Sequence, residues 1–427
     1  MNKLSTKPYK GVRDFYPQDW MFQKWMFWKM KEVCERFGYE NYNASPLEPT
    51  ELYEAKSGQE IVGNETYNMI DRGDRKVTIR PEMTPTVARM VADQMRELPK
   101  PIRWYSIPNL FRYERPQRGR LREHYQLNVD IFGTDSIYAD VEVIQMGYEI
   151  MKNFGAQDNQ FVININNRKI IQSLFETYLS DDSDIYAVSK IIDKKKKLSE
   201  EEFASSLEKY LGGNTADFIT KLSVSSLNEI DFMPAEELEK TRQLIKKLQG
   251  SGITNVSFDL TLMRGFDYYT DIVFEFFDTH PENNRSLFGG GRYDDLLDIF
   301  GMEKIPAIGF GMGDVTARDF LETHGLMPDL ASHTHLVIAA QDEDSLPLVQ
   351  EVATELRDSG INVEIDFTFR KFEKVLAAAD KKRVPFFIAV GKNEVTSKMY
   401  QVKDLTTGEK MDVDVRGIIE TITGPKK

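Results

Sequence analysis

The segment LFRYERPQRGRLREHYQLNVDIFG, residues 110 to 133, carries five arginines within positions 112 to 122, although the formal net charge of the chain is −13. Apolar and polar residues alternate on both sides of the arginine-rich RPQRGRL. This period of two is typical of half-buried strands, and the residues between the two runs are typical of a loop. The segment therefore predicts two strands joined by a cationic loop.

The faces of these two strands decide what the segment can do. Side chains two positions apart share a face of a strand, so Gln126, Asn128 and Asp130 would lie on one side of the second strand. Arg112 and Glu114 would share a face of the first strand. Such a polar stripe is often a solvated outer face. However, a guanidinium fork also recognises phosphate, so the same face is a candidate nucleotide floor or a grip for a nucleic-acid backbone.

Length and composition bound the class of protein. A chain of 427 residues with 41% hydrophobic residues is long enough for two or three globular units. The single Cys34 rules out a disulfide framework within the chain, and the five histidines form no ligand spacing with it, so we expect no structural metal. The N-terminal residues lack the apolar core of a secretory signal, and the most apolar early run is too short to span a bilayer. The sequence therefore predicts a cytoplasmic protein that binds no membrane.

The remaining pattern indicates an α+β fold. Residues 17 to 37 repeat apolar groups at helical spacing, and NMIDRGDRKVTIRPEMT indicates a hairpin that turns at DRGD. Residues 168 to 250 have the pattern of charged helices, which predicts a helical insertion. Strands resume in NVSFDLTLMRGFDYYTDIVFEFF. We therefore expect a mostly antiparallel sheet with helices packed against it.

A second domain is predicted at the C-terminal end. After MPDLASHTH the pattern alternates regularly, from the strand LVIAA through two helices and a middle strand to the strand PFFIAVG. This order is typical of a small α/β domain. The sequence thus predicts one domain over residues 1 to 330 and another over residues 331 to 427.

Two further stretches are candidates for a site. In LMRGFDYYTDIVFE, Arg264 lies at a predicted turn, and Tyr268 and Tyr269 would point to opposite faces of a strand, so only one of them can face a pocket. The alternative is that these residues pack in the core of a hairpin. The glycines of GGGR and GFGMG would allow the backbone to approach a ligand, but neither run matches a dinucleotide or phosphate-loop fingerprint.

Taken in order, these stretches resemble the motifs of the class II aminoacyl-tRNA synthetases, and most closely those of the histidyl-tRNA synthetases. RFGYENYNASPLEP is similar to the family's first motif, which ends at a proline, here Pro46, and builds a dimer interface. FRYERPQRGRLREHYQLNVDIFG is similar to the second motif and PAIGFGMGDV to the third. RGFDYY and GGGRYDDL resemble stretches specific to the histidine enzymes. The resemblance covers nearly the whole chain and implies a class II catalytic domain followed by an anticodon-binding domain.

The resemblance implies roles for individual residues around the reacting atoms. Arg112 and Arg264 would be catalytic and would hold the α-phosphate of ATP from two sides. Asp130 and one tyrosine of the pair Tyr268 and Tyr269 would read the imidazole of histidine. The α-ammonium group of the amino acid would be bound by Glu82, Thr84 and Gln126.

The resemblance also implies where ATP and tRNA bind. The adenine would lie beside Glu114 and against His124, which stands where the family usually has a stacking phenylalanine. The glycines that border ATP would be Gly311 and Gly313. The acceptor end of tRNA would meet the cationic loop, whose contact residues would be Arg115, Gln117, Arg118 and Arg120, with Arg122 beside them. Gln117 and its neighbours would read the extra 5′ guanosine of histidine tRNA.

The third motif departs from the family at one position. Thr316 stands three residues after the glycine of MG, where the family has an arginine. Arg318 is two positions later, which is about 200° around an α-helix. Arg318 would replace the missing arginine only if the helix began in a different register.

The implied activity is the ligation of L-histidine to histidine tRNA by a homodimer, with ATP and Mg²⁺. In the C-terminal domain Lys381, Lys382 and Arg383 are candidate contacts to the anticodon stem, or simply a solvated helix end.

Two other functions compete with this one. The first is that of a silent paralogue that senses histidine and regulates a biosynthetic enzyme, but the retained arginine motifs and C-terminal domain argue against it. The second is that of a class II synthetase for a different amino acid, and RGFDYY argues against that.

Overall fold

The described part of the chain forms two units. The residues that the computed structural model describes are 4–55, 65–263, 269–283 and 285–424. The first unit is Met1–Met327 and the second is Pro328–Lys427. Within the described ranges, no helix combines the length and the apolar character needed to cross a membrane.

A large sheet forms the centre of the first unit. The strands described in this unit are, in chain order, β1 (Glu40–Asn41), β2 (Leu47–Pro49), β3 (Tyr67–Ile70), β4 (Lys76–Ile79), β5 (Ile102–Ser106), β6 (Asn109–Phe111), β7 (Glu123–Phe132), β8 (Phe161–Asn167), β9 (Val256–Phe258), β10 (Ile272–Asp278), β11 (Ser286–Arg292) and β12 (Ala307–Gly313). The order of the large sheet is β1-β5-β7-β12-β11-β10-β8-β9, with β6 also pairing to β7. Except for the parallel pairs β1/β5 and β8/β9, its neighbouring strands are antiparallel, which confirms the mostly antiparallel sheet that the sequence predicted.

A separate small sheet contains the predicted hairpin. Strands β3 and β4 pair antiparallel, and β2 pairs with β4 on the other side. The carboxylate of Asp71 accepts hydrogen bonds from the backbone N–H groups of Gly73 and Arg75 at 2.8 and 3.0 Å. These bonds close the turn at DRGD, because a short acidic side chain can satisfy the N–H groups that a turn leaves unpaired. The hairpin prediction is confirmed.

Helices cover the apolar face of the large sheet. The helices described in the first unit are α1 (Pro17–Arg36), α2 (Thr50–Glu54), α3 (Thr84–Gln94), α4 (Ile137–Asn153), α5 (Arg168–Tyr178), α6 (Asp182–Asp193), α7 (Glu200–Leu211), α8 (Thr215–Leu222), α9 (Ala235–Gly250) and α10 (Asp314–Thr323). Helix α4 contacts α1 and strands β7 and β12. It lies so close to the sheet that a Cβ on Gly147 would be 2.9 Å from the ring of Phe276. A glycine is therefore required where this helix crosses the sheet.

Residues 168 to 250 fold as helices α5 to α9, as their charged helical pattern predicted. Asn167 before α5 and Ser199 before α7 each accept a hydrogen bond from a backbone N–H of the first turn, which begins these helices. The apolar sides of the helices pack into a core of their own. In that core the rings of Phe175 and Phe218 stack with their centroids 6.2 Å apart.

The second unit is a small α/β domain. Its described strands are β13 (Leu336–Ala340), β14 (Val363–Asp366), β15 (Phe386–Val390), β16 (Tyr400–Asp404) and β17 (Lys410–Val413), and its described helices are α11 (Leu346–Asp358), α12 (Phe372–Lys381), α13 (Lys392–Ser397) and α14 (Val415–Thr423). The sheet order is β14-β13-β15-β16-β17, in which the first three strands are parallel and the last two are antiparallel to their neighbours. The alternation predicted as far as PFFIAVG is confirmed. The hairpin β16–β17 and helices α13 and α14 were not predicted.

A buried ion pair ties α4 to the sheet. Nε and Nη2 of Arg292, at the end of β11, donate to the two carboxylate oxygens of Asp140 in α4 at 2.8 and 2.7 Å. The two side chains are 1% and 0% exposed. Arg292 also donates to the carbonyl oxygens of Thr134 and Ser136. Both charges are therefore satisfied, which is the condition for burying them.

Replacing Arg292 should destabilise the fold strongly. Arg292→Met leaves Asp140 buried without its cation, so we expect the free energy of unfolding in denaturant to fall by about 3 to 5 kcal/mol. The control is Arg72→Met, which removes an exposed arginine at the turn of the β3–β4 hairpin and should change the free energy of unfolding by at most about 0.5 kcal/mol. Equal losses in the two variants would contradict this account.

Candidate active site

The polar side chains of β7 lie over a row of glycines on the neighbouring strand β12. The register pairs three polar residues of β7 with three glycines of β12, namely Gln126 with Gly313, Asn128 with Gly311 and Asp130 with Gly309. A Cβ on Gly311 would be 2.9 Å from the amide of Gln126, and one on Gly309 would be 2.5 Å from Oδ1 of Asp130. The glycines thus leave the space into which the polar side chains fold.

We call this surface the glycine floor. It consists of Gly309, Gly311 and Gly313 of β12 and of Gly289 and Gly291 of the neighbouring strand β11. The glycine floor is not a solvated outer face. Gly289 pairs with Gly311, and Gly291 pairs with Gly309. Asn128 and Asp130 are each only 4% exposed. The alternative of a solvated stripe is therefore wrong for these two residues. A floor without side chains lets a ligand approach the backbone closely, as the glycine runs predicted.

Asp130 is a buried acid with half of its hydrogen-bonding capacity in use. The hydroxyl of Tyr293 donates a short hydrogen bond to Oδ1 of Asp130, whereas Oδ2 is buried and accepts no hydrogen bond from the described residues. Burial raises the pKa of Asp130 to about 7, and the hydrogen bond from Tyr293 opposes that rise. An orphaned buried oxygen is costly, and a ligand N–H would satisfy it.

Sequence reasoning assigned no role to Tyr293. The only signal was its place in GGGRYDDL, directly after the buried Arg292. In the structure its backbone N–H donates to the carbonyl oxygen of Ala307 at 3.0 Å, so the chain continues the pairing of β11 with β12 by one residue. That pairing carries the hydroxyl of Tyr293 across strand β12 to Asp130 on β7.

Arg112 lies beside the segment that precedes α3. Its Nε donates to the carbonyl oxygen of Pro81 at 3.0 Å. Glu82 follows Pro81, and Thr84 is the first residue of α3. The structure therefore brings together Arg112 and the predicted ammonium-binding residues Glu82 and Thr84, which are about 30 positions away in the sequence.

The strand prediction for Arg112 and Glu114 is wrong in detail. Strand β6 ends at Phe111. The N–H of Arg112 still bonds to the carbonyl oxygen of Arg122 at 2.8 Å, but the N–H of Glu114 turns back to the carbonyl oxygen of Arg112 at 2.7 Å. This tight turn ends the pairing. Nη1 of Arg112 and Oε1 of Glu114 are nevertheless 3.9 Å apart, so the two side chains remain neighbours.

His124 carries a neutral ring near the arginines. It precedes Gln126 by two positions on β7 and so shares its face. Burial, and to a lesser extent the positive charges of Arg112 and Arg13, together lower the pKa of His124 to about 3. An uncharged imidazole can stack on a heterocyclic base without repelling the nearby guanidinium groups.

The cationic loop is held by its own contacts. Gln117 and Arg120 exchange backbone hydrogen bonds at 3.0 and 2.9 Å around Gly119, whose φ of +76° favours glycine. The side chains of Arg118 and Arg120 are 56% and 65% exposed, and Arg115 is exposed as well. The loop therefore presents these three arginines to solvent.

By contrast, the side chain of Arg122 makes several contacts within the protein. Its guanidinium lies 4.0 Å from the centre of the Tyr113 ring. Its Nε donates to the carbonyl oxygen of Glu114 at 3.1 Å and its Nη1 to the hydroxyl of Tyr9 at 3.0 Å. These contacts tie the base of the loop to the N-terminal segment, so Arg122 has a structural role that the sequence did not predict.

Arg318 does not replace the arginine that is missing at position 316. Helix α10 begins at Asp314, so the two positions point in different directions. The guanidinium of Arg318 lies 5.2 Å from the centre of the Phe22 ring, and its Nε donates to Glu322 at 2.7 Å. Thr316 donates instead to the carbonyl oxygen of Leu287 at 2.7 Å. The condition of a different register is not met.

Two predicted residues, Arg264 and Tyr268, lie outside the described residues, so their roles stay predictions. Tyr269 is described, and a Cβ on Gly291 would be 2.9 Å from its ring. The ring therefore covers the floor next to Gly309.

Across the residues that the structure describes, no group of three or more His, Cys, Asp or Glu side chains could hold a metal ion.

Asp130→Asn should stabilise the protein in a pH-dependent way. Because the pKa of Asp130 rises from 3.8 to about 7 on folding, ionising it costs stability as the pH increases between those values. Relative to the wild type, the variant should gain roughly 2 to 3 kcal/mol of unfolding free energy between pH 5 and pH 8. Denaturant unfolding at both pH values measures this.

The control for that measurement is Asp135→Asn, which changes an exposed carboxylate close to the same strand. We expect little change at either pH, because solvent screens an exposed charge. A gain for Asp130→Asn that is the same at both pH values would point to packing and would contradict the proposed burial of an ionising group.

Known proteins resemble this chain over both of its units. A family model described as histidyl-tRNA synthetase matches residues 11–314, and a model described as an anticodon binding domain matches residues 335–424. A histidine–tRNA ligase of Leptospira biflexa is 43% identical over 412 residues, which are 95% of this chain and 94% of the relative. One of Pyrococcus abyssi is 36% identical over 426 residues, which are 97% of each.

Solved structures share the fold. A crystal structure of histidyl-tRNA synthetase from Nostoc has a TM-score of 0.82 at 23% identity and covers 99% of both chains. A structure from Bacillus halodurans described as an ATP phosphoribosyltransferase regulatory subunit/histidyl-tRNA synthetase has a TM-score of 0.74 at 23% identity and covers 91% of this chain and 99% of that chain. At such identities these likenesses show the fold alone. On the family model and the curated relatives, the chain belongs to the histidyl-tRNA synthetase family.

Proposed function

We propose that this chain ligates L-histidine to histidine tRNA in two steps. The carboxylate of histidine attacks the α-phosphorus of ATP, which gives histidyl-adenylate and releases pyrophosphate. A hydroxyl of the terminal adenosine of tRNA then takes the histidyl group and releases AMP. The observation that carries this proposal is the buried carboxyl group of Asp130, whose Oδ2 has no hydrogen-bond partner among the described residues.

Asp130 gives the site its selectivity for histidine. Its Oδ2 accepts a ring N–H of the imidazole, while Tyr293 holds Oδ1. One tyrosine of the pair Tyr268 and Tyr269 borders the ring, and Tyr269 lies against Gly291 of the floor. A site built around a substrate hydrogen bond rejects analogues that lack the donor by roughly 10⁴-fold. The α-ammonium group of histidine is bound by Glu82, Thr84 and Gln126.

Arg112 and Arg264 stabilise the first transition state. Negative charge builds on the α-phosphoryl oxygens as the bond from the α-phosphorus to the pyrophosphate oxygen breaks. Arg112 is positioned by its bond to the carbonyl oxygen of Pro81, and Arg264 acts from the other side. Preplaced donors stabilise this charge without reorganisation. No side chain acts as a nucleophile.

The nucleotide lies over the glycine floor and along the polar face of β7. Its adenine stacks on the neutral ring of His124 beside Glu114, and its ribose and phosphates pass over Gly311 and Gly313. Mg²⁺ enters with ATP, because this ion is usually held through substrate phosphates and water with one or two carboxylates. No dedicated metal cluster is needed for that.

The tRNA meets the chain in two places. The acceptor end lies along the cationic loop, at Arg115, Gln117, Arg118 and Arg120. The second unit binds the anticodon arm near Lys381, the last residue of α12. The two residues that follow it are already paired, Lys382 with Glu364 at 2.6 Å and Arg383 with Asp329. We further propose that the enzyme acts as a cytoplasmic homodimer, with the first motif at the dimer interface.

The test of the first step is ATP–pyrophosphate exchange with each of the twenty amino acids. We expect histidine alone to support exchange. Arg112→Gln should lower the exchange rate about 100-fold to 1,000-fold while histidine binding stays measurable by calorimetry. Arg72→Gln, at the exposed turn of the β3–β4 hairpin, is the matched control and should be as active as the wild type. Histidine binding without any exchange in the wild type would instead favour a non-catalytic regulator.

The test of the loop uses a tRNA that lacks the extra 5′ guanosine. Because the loop contacts the acceptor end only in the second step, deletion of this nucleotide should slow aminoacylation and leave histidine-dependent exchange unchanged. Gln117→Ala should show the same pattern with the intact tRNA. Equal losses in exchange and aminoacylation would argue against this division of labour.

A further inference from the structure

Three charged residues from separate elements meet at one edge of the glycine floor. Nε of Arg118, in the cationic loop, and Nη1 of Arg285, just before β11, each lie 3.7 Å from Oδ2 of Asp319 in α10. Nη1 of Arg285 also donates to the carbonyl oxygen of Arg118 at 3.0 Å. We call these three residues the rim cluster.

The rim cluster adjoins the Gly313 end of the floor. The hydroxyl of Thr316 bonds to the carbonyl oxygens of Leu287 and Gly313 at 2.7 and 3.2 Å, which fixes the first turn of α10 beside that glycine. Asp319 is three residues further along, on the same side of the helix as Thr316. Gly313 pairs with Gln126, four residues from Asp130 on β7. The rim cluster therefore lies towards the nucleotide end of the floor, away from Asp130.

The cations of the rim cluster are not saturated by their carboxylate. A separation of 3.7 Å is an ionic contact but is too long for a hydrogen bond. Oδ2 of Asp319 correspondingly has no hydrogen-bond partner within the described residues. The side chains of Arg118 and Arg285 are 56% and 31% exposed. Two guanidinium groups thus share one carboxylate and retain N–H donors for another anion.

We infer that Arg285, together with Arg118, binds the terminal phosphates of ATP, and that this pair supplies the positive charge that position 316 lacks. The inference rests on the proposed function. When the α-phosphorus bond to the bridging oxygen breaks, its electron pair leaves with pyrophosphate, and guanidinium forks stabilise the added charge bidentately. Arg118 becomes free for the acceptor end of tRNA once pyrophosphate has left. Asp319 holds both arginines in place between turnovers.

The experiment compares two ligands on the full-length protein. Arg285→Gln should raise the KM for ATP and weaken binding of pyrophosphate with Mg²⁺ by about 10-fold to 100-fold, as expected for a lost charged hydrogen bond. Binding of a non-hydrolysable histidyl-sulfamoyl adenosine, which has no pyrophosphate group, should not change. Arg285→Lys should recover part of the pyrophosphate affinity, because it restores the charge without the fork.

Arg318→Gln is the matched control, since it removes an arginine of α10, the helix of Asp319, that faces Phe22 and Glu322. It should change neither binding constant. Equal weakening of pyrophosphate and the adenylate analogue by Arg285→Gln would mean that Arg285 only anchors the loop, and would overturn the inference. An unchanged KM for ATP in an active enzyme would do the same. Absence of histidine-dependent exchange in the wild type would refute the proposed function instead.

Discussion

The register of β7 against β12 is the constraint on which the site depends. Side chains alternate between the two faces of a strand, so the pairing of Asp130 with Gly309 sends Gln126, Asn128 and Asp130 to the glycine side. Leu127, Val129 and Ile131 then point to the helices. A slip by one residue would turn the carboxyl group of Asp130 into the apolar layer under α4. The burial of Leu127, Val129 and Ile131 on that layer therefore also fixes where the substrate-binding groups lie.

The two faces handle buried polar groups differently. On the helix side, the charges of Arg292 and Asp140 satisfy each other through two short hydrogen bonds, and the pair contributes to holding the fold. On the floor, the described residues give Asp130 a hydrogen bond from Tyr293 alone. Leaving one oxygen unsatisfied costs stability, and this cost favours any ligand that brings a donor to that oxygen. The first arrangement is complete without a ligand, whereas the second is complete only with one.

The sequence predicted the elements that depend on hydrophobic periodicity within one segment. It missed the features that depend on contacts between residues distant in the sequence. The strands around the cationic loop, helix α1 and the alternation of the second unit follow from hydrophobic spacing. The end of β6 at Phe111 does not, because it depends on a backbone turn at Glu114. The direction of Arg318 depends on where α10 begins, and the contact of Tyr293 with Asp130 on how three strands pair. Neither is encoded by spacing within one segment.

An acidic chain can concentrate arginines in one loop because nearby carboxylates pair with them. Arg120 lies 3.4 Å from Glu114, and Arg118 lies 3.7 Å from Asp319. Such partly exposed ion pairs are worth at most about 1 kcal/mol each. They therefore limit the repulsion between neighbouring cations without blocking them, because a phosphate that offers a bidentate contact can replace the carboxylate. The acidic residues around the loop thus position its arginines for a polyanion, and an excess of positive charge over the whole chain is not required.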